Sequence, residues 1–109
     1  MADILKVLGQ LAAAATTEED LYAVPDQALT TTSTLAICNR TSSTITFRVS
    51  VAVSGATTAD KDYIFYDAPI GGNTTVTAVL GMTLNQSDVV RTYASATGLS
   101  FNLFGVETF

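Results

Sequence analysis

No histidine occurs anywhere in this chain, which removes the commonest metal ligand and the usual general base. Cysteine occurs once, at Cys38, so neither an internal disulfide nor a multi-cysteine zinc site can form. Placed at the end of an apolar strand pattern, Cys38 reads as a small buried hydrophobe. Charged residues make up 14% of the chain, against about 25% in an ordinary soluble domain, and Thr and Ser take their place as the polar component. Lys and Arg number five (Lys6, Arg40, Arg48, Lys61 and Arg91), scattered under a net charge of −5. Nucleic acid is excluded as a partner on that ground, since a phosphate-binding surface needs clustered cations. The longest apolar runs fall far short of a membrane span of about 20 residues, so no membrane partner is expected. Asp3 precedes the first apolar stretch, which lacks the positive cluster of a signal peptide; synthesis in a cytoplasm is expected.

Catalytic groupings are also missing. Serine and threonine are plentiful, but a nucleophile needs an activating base, and neither a Gly-x-Ser-x-Gly elbow nor a Ser-x-x-Lys pair is present. Asp60, Asp62 and Asp67 do not have the spacing of a calcium loop and read as loop solubility, with Lys61 between two of them. Glu18-Glu19-Asp20 reads as a solvated acidic joint. The glycosylation triplets at Asn39, Asn73 and Asn85 are expected by chance in a chain this rich in Thr and Ser. No enzyme activity, cofactor or metal is expected.

What the chain does have is alternation. In Thr44–Val53 the odd positions Ile45, Phe47, Val49, Val51 and Val53 are apolar, and the even ones are Thr, Thr, Arg, Ser and Ala. Side chains on a strand point alternately to opposite faces, so this segment has one oily and one polar side. Leu29–Cys38, Asp62–Tyr66, Thr75–Leu84, Asp88–Ala94 and Leu99–Phe104 read as further strands. Turns at Asn39–Ser43, Gly71–Asn73 and Gly98 separate some of them. Ile45, Phe47, Val49, Val51, Leu80, Val89, Leu99, Phe101 and Leu103 form the expected core. Short strands joined by turns predict an all-β fold, an antiparallel β-sandwich of jelly-roll or immunoglobulin-like form. The length suits one such domain, burying roughly 60–70% of its unfolded surface.

Residues 1–27 differ in pattern and are expected as an N-terminal arm or linker leading into a sandwich over residues 28–109. Ile4, Leu5, Val7, Leu8, Leu11, Ala12 and Ala15 recur at helix-like intervals, with Asp3 able to cap a helix start. Gly9 weakens that pattern by about 1 kcal/mol relative to alanine. The other reading is an extended arm with a short strand over Lys6–Gln10. Arg91 shares its parity with Val89 and Tyr93, which makes it a candidate for a specific contact.

Several segments, in order along nearly the whole chain, resemble a family of small virion structural proteins of tailed bacteriophages. They include Lys6-Val7-Leu8-Gly9-Gln10, Leu21-Tyr22-Ala23-Val24-Pro25, Cys38-Asn39-Arg40-Thr41 and Thr46-Phe47-Arg48-Val49. Ala59-Asp60-Lys61-Asp62-Tyr63-Ile64, Leu80-Gly81-Met82-Thr83-Leu84, Asp88-Val89-Val90-Arg91 and Leu99-Ser100-Phe101 continue the match. The chain departs from the family at Leu11-Ala12-Ala13, where a Pro-containing or polar stretch is common. The resemblance implies a β-sandwich in a phage particle and brings no catalytic residues.

Three functions follow as expectations. The first is a decoration or cement protein bound to the major capsid protein on the head lattice. The second is an adaptor or fibre base bound to tail, neck or baseplate proteins. The third is a host-glycan module using Tyr63, Tyr66 and Tyr93, disfavoured by the absence of tryptophan and an aromatic content of 8%. The virion is the expected location, and a homo-oligomer, with a trimer among the options, is the expected state. Residues expected at a partner interface are Leu5, Val7, Leu8, Leu11, Tyr22, Arg40, Arg91 and Phe109.

Overall fold

In the computed structural model, which describes residues 2–109, Leu99, Phe101 and Leu103 are fully buried, while Ser100 and Asn102 between them are not. This two-residue beat assigns an inner and an outer face to most long strands. The strands are β1 (Asp3–Ala12), β2 (Glu19–Ala23), β3 (Leu29–Asn39), β4 (Ile45–Ala52) and β5 (Tyr63–Ile70). They continue with β6 (Thr75–Ala78), β7 (Thr83–Leu84), β8 (Val89–Ala94) and β9 (Leu99–Thr108). Single 3₁₀ turns at Val53–Gly55 and Asp60–Asp62 punctuate the loop between β4 and β5.

Two antiparallel sheets result. Sheet A runs β1-β9-β3-β6, with β7 also paired to β3, and sheet B runs β2-β8-β4-β5. The chain is thus one long ribbon that pairs β1 with β9, β2 with β8, β3 with β6 and β7, and β4 with β5. The ribbon is rolled so that β3 also meets β9 and β4 also meets β8. That order is a jelly roll, and it decides between the two sandwich forms expected from the sequence.

The roll also changes the meaning of residues 1–27. Expected as an arm or short helix ahead of the sandwich, they instead supply the edge strand of each sheet, β1 beside β9 and β2 beside β8. The extended reading holds over the whole of Asp3–Ala12, not only Lys6–Gln10. Helical spacing is a weak local preference, and here the hydrogen bonds offered by β9 override it. Gly9 takes part for a steric reason: a Cβ on it would overlap the carbonyl oxygen of Leu21 on β2, where the two edge strands close one side of the sandwich.

Leu35, Ile37, Phe47, Val49, Val90 and the β9 triplet fill the space between the sheets. The Phe47 ring lies 5.4 Å from Phe65 and 6.4 Å from Phe101, the latter edge to face. Burying each such ring contributes roughly 2–3 kcal/mol. Three expected core residues are placed differently. Val51 is only partly buried, because the beat of β4 shifts after Val49 and turns Ser50 and Ala52 inward. Val89 is buried but lies outside the core cluster, opposite Ala52, with its methyl group towards Gly55. Leu80 is only partly buried, because the run Thr75–Leu84 breaks into β6 and β7. At the break the Thr32 amide donates to the Met82 carbonyl, and the Thr32 hydroxyl adds side-chain bonds, donating to the Leu80 carbonyl and accepting from the Met82 amide. Asn39, the first glycosylation triplet, is buried and donates to the carbonyls of Ser43 and Ile70, tying two turns together.

Candidate functional site

At the end of sheet A where Asp3, Leu29 and Thr108 meet, the outer face carries an apolar patch. Leu5 stands opposite Val106, and Val7 opposite Phe104. On the other flank of β9, β3 places Thr31 opposite Val106 and Thr34 opposite Phe104, with Leu29 beside Thr108. Leu5 is 79% exposed and Leu29 51% exposed, values far above those of the core residues. Hydroxyl side chains and, at the open end, the Asp3 carboxylate frame the patch, and none of its members is charged.

Local irregularity shapes this surface. Both neighbours of β9 are bulged at the same level, β1 between Val7 and Gly9 and β3 between Thr32 and Thr34. A bulge adds one residue to one strand and sharpens the local twist. Before the bulge, Leu5 and Val7 face outward; at it, Leu8 turns into the core.

The patch borders an open strand edge. β1 has β9 on one side and no strand on the other. Edge strands usually carry charges or proline that discourage further pairing. Here β1 has no proline, and its charged side chains are engaged inside the chain. Lys6 Nζ is 3.2 Å from Glu107 Oε1, and Asp3 accepts a hydrogen bond from the Thr108 hydroxyl. Ala2 and Phe109 exchange two backbone hydrogen bonds of 3.0 Å, which hold Phe109 beside the start of β1.

The expected interface residues therefore separate. Leu5, Val7 and Phe109 gather at this end with exposed side chains. Leu11 faces Phe101 and packs against the core. Leu8 and Tyr22 are buried; a bulge at Leu21 brings both Leu21 and Tyr22 into the interior. Arg40 is exposed but sits at the far end, where it donates to the Ser100 hydroxyl. Arg91 is occupied within the chain: it binds Asp20 Oδ1 at 3.1 Å, the carbonyls of Gly55 and Ala56, and the Thr58 hydroxyl. It latches the loop 53–62 onto the outer face of sheet B.

Exposed Leu29 and Phe104 and the half-buried Val106 complete the patch and were missed; Ile4 is exposed too, but lies opposite the buried Glu107 and off this face. Phe104 had a legible signal, since it shares parity with Ser100 and Asn102 on the polar side of β9 while Leu99, Phe101 and Leu103 point inward.

Sheet B brings a second group together. Tyr63, Tyr66 and Tyr93, the aromatics of the host-glycan expectation, cluster on its outer face around Arg48. The guanidinium carbon lies 4.3 Å from the Tyr66 ring centre and 4.4 Å from that of Tyr93. A bulge sets both Tyr66 and Asp67 opposite Arg48, so ring and carboxylate reach it together, with Nε 2.7 Å from Asp67 Oδ1. The Asp67 hydrogen bond holds the Arg48 guanidinium even more firmly protonated than usual.

No family model matches this chain, and no curated protein matches it.

Proposed function

We propose that this chain is a non-enzymatic structural component of a tailed-phage virion, a decoration or cement protein that binds the head lattice. The observation that carries the reading is the apolar patch of Leu5, Val7, Leu29, Phe104 and Val106 beside the unpaired edge of β1. Contiguous exposed apolar surface next to a free edge favours docking onto another protein, by burial and by strand addition. Each contact need only be modest, because a lattice of identical sites multiplies weak binding. The low charge content and the ordered resemblance to phage virion proteins support the same reading. Jelly rolls also recur in viral capsid proteins, which adds an analogy of fold alone.

Deleting residues 1–20 is a poor test, because it would strip β1 and part of β2 from the roll. The double variant Leu5→Asp, Val7→Asp keeps the inner faces intact. It should fold and fail to join particles, whereas undiminished incorporation overturns the role of this surface. Gold labelling of intact particles tests the location. Hundreds of labels on the head support a decoration protein; a small multiple of three or six at the tail or neck replaces it with the adaptor.

A further inference from the structure

Arg91 ties the loop 53–62 to the outer face of sheet B. Where that loop meets β5, Asp60, Tyr63 and Tyr66 line an open recess of about 350 Å³. It lies on the sheet opposite the β1 surface, so its argument stands apart from the virion reading.

Three features define what fits there. The Tyr63 and Tyr66 rings have centroids 4.8 Å apart and planes at 77°, so they meet as two nearly perpendicular walls. Tyr66 is 58% exposed in spite of its contact with Arg48. Asp60 is exposed and, among the described residues, makes no ion pair or side-chain hydrogen bond; the neighbouring Lys61 is instead 3.4 Å from Asp62. Two aromatic walls beside an unpaired carboxylate attract a compact organic cation through the ring quadrupoles and the formal charge. The same face already performs this chemistry once, on Arg48, with Tyr66, Tyr93 and Asp67. The net charge of −5 favours a cationic partner at longer range.

We infer that the recess formed by Asp60, Tyr63 and Tyr66 is a docking site for a lysine or arginine side chain of a partner protein. The molecule then has a second partner-facing surface, on the sheet opposite the apolar patch.

The test is an amide NMR titration of the full chain with tetramethylammonium chloride and with N-acetyl-lysine methylamide. Sodium chloride, neutral tert-butanol and a methyl pyranoside serve as controls. Saturable shifts confined to residues 60–66, given by both cations and not by the controls, are expected. Asp60→Asn should weaken binding roughly threefold or more, the size of an exposed ion pair, and Tyr63→Leu should abolish it. Absence of shifts, equal shifts with tert-butanol, shifts with the pyranoside alone, or an unchanged affinity in Asp60→Asn would each overturn the assignment. Should Tyr63→Leu lose its dispersed spectrum, the exposed Asp60→Asn variant decides.

Discussion

The Tyr22 hydroxyl donates a 2.6 Å hydrogen bond to Glu107 Oε2, joining β2 of one sheet to β9 of the other across the interior. Because the single phenol proton goes to Glu107, the Thr30 hydroxyl, 2.7 Å away, donates to the Tyr22 oxygen. Lys6 reaches the other carboxylate oxygen from β1. A nearly buried acid is thus held by groups from both edge strands, which come from the first 27 residues of the chain. Without them Glu107 would be a desolvated carboxylate with no partner.

Tyr22→Phe keeps the ring and removes the donor, leaving Glu107 with Lys6 alone. A loss of about 1–3 kcal/mol is expected in a urea melt at neutral pH. The pH dependence gives an independent readout. Burial first, and the Glu107 carboxylate second, raise the Tyr22 phenol well above its ordinary value. The folded protein therefore keeps a proton that the unfolded chain, with an ordinary tyrosine, loses near pH 10 (about). The associated stability is complete below that pH and is lost as pH climbs through the folded-state value. Tyr22→Phe should show a shallower decline above about pH 10; an equally steep one means the phenol is not what drives it.

Gly9→Ala should be far more costly than the same change at Gly81. A Cβ on Gly9 meets the Leu21 carbonyl oxygen, and both groups belong to backbone that is held by strand pairing. Overpacking of this kind costs about 1–3 kcal/mol. Gly81 has nothing within 4 Å of its would-be Cβ, so Gly81→Ala should change stability by less than about 0.5 kcal/mol. Similar denaturation midpoints for the two variants would count against the close approach of β1 and β2.

Thr92→Val should stabilise the protein. Thr92 faces the core opposite Val49, and its Oγ1 is buried without a hydrogen-bond partner. Valine fills the same volume without a desolvated hydroxyl, and a gain of about 0.5–1.5 kcal/mol is expected by thermal or urea unfolding. Destabilisation would reveal a partner for the hydroxyl, such as a buried water.

Arg91→Ala should release a loop while leaving the sandwich folded. Its guanidinium is the tie between β8 and Gly55, Ala56 and Thr58, and Asp20 is its only acidic partner among the described residues. Amide hydrogen exchange over residues 53–58 should quicken roughly tenfold or more, with the β9 amides unaffected, because local opening is governed by local contacts. Uniform acceleration across the whole chain would show that Arg91 supports global stability.

The strands and most of their buried faces were legible in the order of residues. Ile45, Phe47, Val49, Leu99, Phe101 and Leu103 were expected inside and are buried. Alternation is a property of a few consecutive residues, so it needs no knowledge of what lies across the sheet. The bulges were not legible. Leu8, Leu21 and the Tyr66–Asp67 pair each break the beat where a strand accommodates its neighbour, and each reverses or doubles a face. This is why Tyr22 and Leu8, expected at a surface, lie inside.

By itself, then, the sequence determined an all-β sandwich with a Thr- and Ser-rich exterior, because pattern and composition act locally. Tertiary structure alone decided that β1 and β2 belong to the roll, that Glu107 meets Tyr22 and Lys6, and that Leu5 and Val7 join Phe104 in one patch. Those outcomes depend on pairing across about 85 to 100 positions of sequence. Strand partners that distant are selected by which edges can be satisfied and which faces buried, and no window of neighbouring residues contains that information.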